Sequence, residues 1–185
     1  FLIVCEGAKT EPNYFKAIKK RMRIHPLQVE ICGEECGSDP RSVVEFAKRK
    51  KKKPDSEGVH YDQVWCVIDK DKHPNLIEAL DMARANKLKT CLSVPCFEFW
   101  YLLHFEYTTR PFENADLLIH ELKKHLSGGT YSKNEPPMTE LMPQLEAAIR
   151  NAQRVRESNK NTAQQNPRTD VDLLIGELKK ICPRK

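Results

Sequence analysis

Short apolar runs alternate with amphipathic stretches over the first 105 residues, and this alternation restricts the fold more than any other feature. The apolar runs cover residues 1–5, 27–32, 62–69 and 89–94. Each has the length of a strand, and nearly continuous apolar character is typical of parallel strands that are covered on both faces. The pattern predicts an α/β fold with a parallel sheet of about four strands flanked by helices.

The segments between these runs carry apolar residues at helical spacing. Helices are predicted over residues 12–22, from residue 40 to the basic run at 48–53, and over residues 75–86. The apolar and aromatic segment 96–105 also has helical length. The remaining chain is predicted to be helical over residues 115–126, 139–155 and 171–181. We therefore expect an α/β core over residues 1–105 and a helical C-terminal extension over residues 106–185 that packs on it.

Acidic residues follow two of the predicted strands. Glu6 comes directly after the first strand and precedes a glycine, whereas the third strand ends in Asp69 and Asp71. Ligands of an open parallel sheet bind at the carboxyl ends of its strands, where these acids would meet if the strands are neighbours. Carboxylates that close repel one another unless a cation lies between them, and hard oxygen ligands select Mg²⁺ or Mn²⁺. Glu11, near the start of the next helix, could join them.

The alternative is that some of these acids cap helix starts, since Asp71 and Glu11 each lie just before a predicted helix. Glu98 is a separate case. It interrupts the apolar segment 96–105, where a charge is costly unless it is paired or bound to a metal. Glu98 therefore either completes the acidic cluster from the fourth strand end or pairs with an arginine or lysine.

Positive charge is concentrated in one place. The formal net charge is +5, which favours a polyanionic partner, and residues 48–53 form an unbroken basic run. This run either contacts phosphates or is a solvated helix end whose cations suit the helix dipole. Lys9, between the two glutamates, could also contact a phosphate. The candidate nucleic-acid-binding residues are Lys9, Lys48, Arg49, Lys50, Lys51, Lys52 and Lys53.

Cysteine usage bears on the compartment. The chain has seven cysteines, and those within apolar runs behave as small reduced hydrophobes, so we expect a cytoplasmic protein. Cys32 and Cys36 could form half of a zinc site, but no second pair with suitable spacing follows, which favours ordinary thiols. No apolar stretch approaches the ~18 residues that a membrane helix needs.

Three spaced motifs carry a resemblance to a known family. EGxxTExxYF at residues 6–15, VxDxD at 67–71 and CFExWxLLHF at 96–105 resemble the RloB-like family, and the segment NPRTDVDLLIGEL near the end resembles the family's C-terminal part. The resemblance implies a TOPRIM-type fold and a metal site with Glu6 as signature acid and Asp69 and Asp71 as the DxD pair. EGxxTE is also similar to the OLD-type nucleases, in which both glutamates serve metals.

This resemblance implies an association with phage defence. We expect a Mg²⁺- or Mn²⁺-dependent nuclease with catalytic, metal-binding residues Glu6, Asp69 and Asp71 and with Glu11 and Glu98 as further metal ligands. We expect a nucleic-acid substrate, with a structured RNA such as tRNA as one candidate, and a partner defence protein as a further candidate partner. The sugar-phosphate backbone of the nucleic acid could be bound by basic residues of the C-terminal part: Arg150, Arg154, Arg156 and Lys160. The alternative is a non-catalytic subunit of a defence complex that binds nucleic acid or nucleotide.

Overall fold

The computed structural model describes residues 1–25, 27–31, 39–52, 60–70, 75–160 and 165–183. Its centre is a five-stranded sheet with the strand order β2-β1-β3-β4-β5. The strands are β1 (Leu2–Cys5), β2 (Gln28–Ile31), β3 (Val64–Asp69), β4 (Lys89–Val94) and β5 (Arg168–Thr169). The helices are α1 (Thr10–Met22), α2 (Pro40–Lys52), α3 (Leu76–Ala85), α4 (Glu98–Leu102), α5 (Ala115–Lys123), α6 (Met138–Leu141), α7 (Leu145–Ser158) and α8 (Val171–Lys180).

The sheet is parallel except at one edge. β1 lies between β2 and β3 and is parallel to both, and β3 is parallel to β4. The predicted parallel sheet is confirmed, and β1 and β3 are neighbours in it. β5 is antiparallel to β4 and comes from the C-terminal part, for which only helices were predicted. Two residues are too short a strand to produce a recognisable alternating pattern, so the sequence did not reveal β5.

The strands are apolar throughout because both faces of the sheet are covered. In β1, Leu2 and Val4 face a core formed with α2 and α3, whereas Ile3 and Cys5 face the other core. Successive side chains of a strand point to opposite faces, so a strand buried on both sides has no polar position. The second core also contains buried residues of α5, α7 and α8. The C-terminal part therefore shares the core of the first 105 residues.

Two predicted helices are shorter than their patterns suggested. The segment 96–105 is helical only over α4, and turns follow it. The segment 139–155 is divided into α6, a 3₁₀ turn at Met142–Gln144 and α7. Pro143 lies at the division, because a proline has no amide hydrogen to donate within a continuous helix.

No helix in the described part of the chain is both long and apolar enough to cross a membrane.

Candidate metal centre

Three consecutive strands of the sheet place acidic residues at the same edge. Glu6 follows β1, and its amide donates a 3.2 Å hydrogen bond to the Val67 carbonyl of β3. Asp69 is the last residue of β3, two positions beyond Val67, and Glu98 opens α4 shortly after β4 ends. The register of the parallel strands therefore brings Glu6, Asp69 and Glu98 to one end of the sheet.

Glu11 reaches the same edge from the first turn of α1. Only 5% of this residue is exposed, and its carboxylate accepts hydrogen bonds from its own amide and that of Gly7. The carboxylate lies against the bare Cα of Gly7, where an added Cβ would stand 2.5 Å from Glu11 Oε2. The missing side chain of Gly7 therefore leaves room for the carboxylate of the second glutamate, which an added Cβ would force to move.

Asp69 has one satisfied oxygen and one that lacks a partner. Oδ2 accepts a hydrogen bond of 3.1 Å from the Phe97 amide. Oδ1 is buried and has no hydrogen-bond partner in the described part of the chain. Burial raises the pKa of Asp69 well above its usual value, and the nearby charges of Glu11, Glu98 and Glu6 raise it further. A carboxylate with one oxygen held in place and one buried oxygen unused is the arrangement that a cation ligand needs.

Glu98 is the most enclosed of these acids, with 2% of the residue exposed. Its Oε1 accepts hydrogen bonds from the hydroxyls of Thr10, at 3.2 Å, and Tyr131, at 2.9 Å. Lys133 Nζ lies 3.9 Å from the same oxygen, at the outer limit of an ion pair. Hydroxyl donors at two positions hold the carboxylate in place, while Lys133 supplies a cation from a mostly exposed side chain.

Charge repulsion connects the cluster. Burial and the neighbouring Glu98 carboxylate raise the pKa of Glu11, although Lys133 and backbone amides oppose the shift. The buried Cys5 thiol, at the end of β1, has a pKa raised by burial and by the charges of Glu11 and Asp69. These groups therefore interact electrostatically with one another at the edge of the sheet. Like charges at this density are stabilised by protonation or by a bound cation.

The donor set fits a hard divalent cation. All four carboxylates, those of Glu6, Glu11, Asp69 and Glu98, offer oxygen ligands of the kind that Mg²⁺ and Mn²⁺ prefer, and Asp69 Oδ1 has an unused acceptor position. Their oxygens are not drawn together round one point. In the described part of the chain, Glu106, Glu121 and His125 alone have ligand atoms all within 4.8 Å of one another. Glu121 is already paired with Arg110 and Lys124.

Four residues near the site were not predicted from the sequence. Thr10 and Tyr131 hold Glu98, and Lys133 is the nearest cation to it. The Tyr101 hydroxyl is buried without a hydrogen-bond partner among the described residues, and the charges of Glu98 and Glu11 help to raise its pKa. Thr10 belongs to the quoted EGxxTE motif and was the one detectable signal. Tyr131 and Lys133 lie in a polar loop that gives no such signal.

The remaining predicted site residues lie elsewhere or outside the described residues. Asp71 and Lys53, as well as Cys32 and Cys36, are not among the described residues. Lys9 is exposed and directly precedes α1.

The basic run occupies the last turn of α2, which leads towards the start of β3 and thus lies at the edge opposite the acids. Two of its lysines have protein partners there. Lys50 pairs with Glu30 at 2.7 Å, and Lys51 donates to the carbonyls of Asn86 and Lys87 just before β4. Lys50 and Lys51 are therefore part of a helix end whose side chains form contacts within the protein. Lys48 and Arg49 lie on the same helix, and the last described residue of the run is Lys52.

Two other candidates are occupied by structural contacts. Arg156 forms a bidentate pair with Asp172, and Arg154 lies 3.8 Å from the centre of the Tyr107 ring.

His104 is buried, donates from Nδ1 to the Trp100 carbonyl at 2.9 Å, and has its pKa lowered to about 4 by burial. It is therefore a neutral core histidine at physiological pH.

The sheet and its acidic edge define an α/β protein with a carboxylate-lined site at the carboxyl ends of parallel strands. The family model described as RloB-like protein matches residues 1–178, so the chain belongs to the RloB-like family. No curated protein and no solved structure matches the chain.

Proposed function

We propose that this protein is a metal-dependent nuclease of a bacterial anti-phage defence system, built on a TOPRIM-type core, that hydrolyses phosphodiester bonds in nucleic acid, with RNA such as tRNA as the favoured substrate. The observation that carries the proposal is the placement of Glu6, Glu11, Asp69 and Glu98 at one sheet edge, together with the unused buried oxygen of Asp69. Membership of the RloB-like family supports it, since the motifs that carry the resemblance supply these acids.

The four carboxylates, with Asp71 from the same DxD motif, would hold one or two Mg²⁺ or Mn²⁺ ions. When bound, such an ion lowers the pKa of a water molecule and stabilises negative charge on a scissile phosphate. Glu6 and Asp69 come from adjacent strands and form the central pair, to which Asp71 would add. Glu11 and Glu98 come from the starts of α1 and α4 and form the outer pair.

The chain's own contacts fix the orientation of these ligands. The Phe97 amide holds Asp69 Oδ2, and the buried Oδ1 has no hydrogen-bond partner among the described residues. Thr10 and Tyr131 hold Glu98, and the missing Cβ of Gly7 admits the carboxylate of Glu11. Ligands that are oriented in advance lose little conformational freedom when a cation binds.

The second candidate is a non-catalytic subunit that binds nucleic acid or nucleotide. It is favoured by one observation: among the described residues, the strand-end acids do not bring three ligand oxygens within 4.8 Å of one another. A site that never closed round a cation would leave these acids as mutually repelling groups, and the raised pKa values of Asp69 and Glu11 would only modulate stability.

Cleavage assays separate the two candidates. Labelled tRNA, single-stranded RNA and duplex DNA are incubated with the protein and Mg²⁺, Mn²⁺ or EDTA, beside Asp69→Asn. This variant keeps an oxygen for the Phe97 amide but removes the charge. The control is Asp116→Asn, an exposed acid in the first turn of α5. Metal-dependent products that Asp69→Asn abolishes and Asp116→Asn leaves unchanged would support the nuclease. Binding that is unaffected by EDTA and by Asp69→Asn, with no products, would support the binding subunit.

A further inference from the structure

The solvent-facing side of α1 carries a row of cations. Tyr14, Phe15 and Ile18 are fully buried, which fixes the side of the helix that packs on the sheet. Residues three or four positions apart share a face of a helix. On this basis the side opposite the core is lined by Lys9, Asn13, Lys16 and Lys20. We call the three exposed lysines of this row, Lys9, Lys16 and Lys20, the α1 basic face.

These lysines differ from the predicted basic run at the end of α2. None of the three forms an ion pair with any residue in the described ranges, whereas Lys50 and Lys51 of α2 are engaged by Glu30 and by the end of α3. Cations at a C-terminal helix end are favoured by the helix dipole, which accounts for Lys20 but not for Lys9. Lys9 occupies the N-cap position of α1 and makes no side-chain capping bond there.

The row leads to the carboxylate cluster. Glu11, in the first turn of α1, belongs to the cluster, so the Lys9 end of the row is also the acidic end of the sheet. Asn13, within the row, donates a 3.0 Å hydrogen bond to the Asn134 carbonyl and so fixes the neighbouring loop. That loop carries Lys133, whose side chain is 56% exposed and whose Nζ lies 3.9 Å from Glu98 Oε1.

We infer that the α1 basic face and Lys133 form the surface along which the phosphate backbone of one nucleic-acid strand approaches the carboxylate cluster. The inference rests on the proposed function for the identity of the ligand. From Lys9 to Lys20 the row extends about 16 Å along the helix, at ~1.5 Å per residue. A single line of exposed cations, unpaired among the described residues, complements a single polyanionic strand, and its Lys9 end lies at the edge of the sheet that carries Glu11 and Glu98.

Binding measurements with paired variants test the surface. Fluorescein-labelled single-stranded RNA and the DNA of the same sequence are titrated with full-length protein in EDTA, so that binding is measured without cleavage. Lys16→Gln/Lys20→Gln removes two charges from α1 and leaves Lys9, Lys133 and the acids intact. The matched control, Lys48→Gln/Lys52→Gln, removes two charges from α2 at the opposite edge. Circular dichroism and thermal unfolding verify that both variants are folded.

The α1 variant is expected to bind at least one of the two strands more weakly than the native protein. Its slope of log K against log salt concentration should be shallower by ~1.4, because each lost contact to a single strand contributes ~0.7. The α2 control should keep the native slope. The inference is overturned if neither strand binds to the native protein or if the α1 variant keeps the native slope. It is also overturned if the slope of the α2 control becomes shallower by as much as that of the α1 variant.

The outcome is separable from that of the proposed function. Binding that depends on α1, with no cleavage under any metal condition, would retain the surface and reject the nuclease. Metal-dependent cleavage with equal binding by the native protein and the α1 variant would retain the nuclease and reject the surface.

Discussion

The hydroxyl of Tyr131 donates a hydrogen bond of 2.9 Å to Glu98 Oε1, across 33 residues of sequence. Glu98 belongs to the sheet edge that carries the acids, whereas Tyr131 belongs to a loop of the C-terminal part. The residues after position 105 therefore complete the candidate metal centre in addition to packing against the core. An isolated N-terminal segment would lack both the bond from Tyr131 and the cation of Lys133.

Tyr131→Phe tests this connection. The substitution keeps the aromatic ring against Tyr101 but removes the hydrogen bond to Glu98. Glu98 would keep its hydrogen bond from Thr10 and its contact with Lys133. We expect the free energy of unfolding in EDTA to fall by about 1 kcal/mol, the net value of one hydrogen bond. We also expect a smaller increase in the midpoint of thermal unfolding when Mg²⁺ or Mn²⁺ is added, because Glu98 is less well oriented.

The control for this change is Tyr107→Phe, which removes an exposed hydroxyl bonded to Ser158. It should lower stability less and leave the metal-induced shift at its native value. Equal metal-induced shifts in the two variants would show that Tyr131 does not orient a ligand.

Gly7→Ala tests the close approach of Gly7 and Glu11. The added Cβ would stand 2.5 Å from Glu11 Oε2, so the buried carboxylate must move. The carboxylate is the end of a flexible side chain, and the fold should therefore survive. We expect weaker Mn²⁺ binding by isothermal titration, together with loss of most of the metal-induced stabilisation.

Gly176→Ala is the matched control, since nothing lies within 4 Å of its added Cβ in α8. It should raise stability by up to about 1 kcal/mol, because alanine favours the helix over glycine, and should leave Mn²⁺ affinity unchanged. Native Mn²⁺ affinity in Gly7→Ala would mean that Glu11 is not a ligand.

The positions of the acids were predictable from sequence because they depend on strand topology alone. An apolar run that ends in Glu6 and another that ends in Asp69 must present both at one edge once the strands are parallel neighbours. The same rule applies to the basic run. A helix that leads into a parallel strand ends at the edge where that strand begins, so Lys50 and Lys51 lie opposite the acids.

The loop residues were not predictable for a different reason. Tyr131 and Lys133 reach Glu98 through contacts that depend on how the C-terminal part docks, and no periodic pattern encodes that docking. α4 illustrates the same limit. Its segment is apolar from Cys96 to Phe105 because nearly all of it is buried, yet only Glu98–Leu102 is helical. Burial, and not helical periodicity, determined that composition.

The repulsion within the acidic cluster predicts an unusual pH dependence. Asp69 has a pKa raised above its ordinary value of 3.8 by burial and then by its acidic neighbours. The folded state therefore holds the Asp69 proton to a higher pH than the unfolded state does. The resulting contribution to stability is complete below 3.8 and is lost as the pH rises through the raised value.

Asp69→Asn should remove this loss. In EDTA, the difference in free energy of unfolding between the variant and the native protein should grow in favour of the variant as the pH rises towards about 8. Mg²⁺ should act in the opposite direction, stabilising the native protein more at about pH 8 than at about pH 5 and leaving the variant nearly unchanged. Urea unfolding across this range provides the measurement. A pH-independent difference would contradict the raised pKa.

The pair formed by Arg156 and Asp172 anchors the C-terminal part beside β5. Both guanidinium nitrogens contact the carboxylate, and Arg156 also donates to the Thr169 carbonyl at 3.1 Å. The Asp172 side chain is 1% exposed, so Arg156→Ala would leave a buried carboxylate without its cation. We expect the free energy of unfolding to fall by about 3–5 kcal/mol, the usual cost of breaking a buried ion pair from one side.

The control is Arg154→Ala, two residues earlier on α7 and in contact with the Tyr107 ring, which should cost only about 0.5–1 kcal/mol. Arg156→Met/Asp172→Leu should recover much of the stability lost in Arg156→Ala, because it removes both buried charges. Urea unfolding of the three variants measures these differences. If Arg156→Ala lowered the free energy of unfolding no more than Arg154→Ala, the ion pair with Asp172 would not anchor the C-terminal part, and Arg156 would be available to contact nucleic acid. The C-terminal part would then be held beside the sheet by the pairing of β5 with β4.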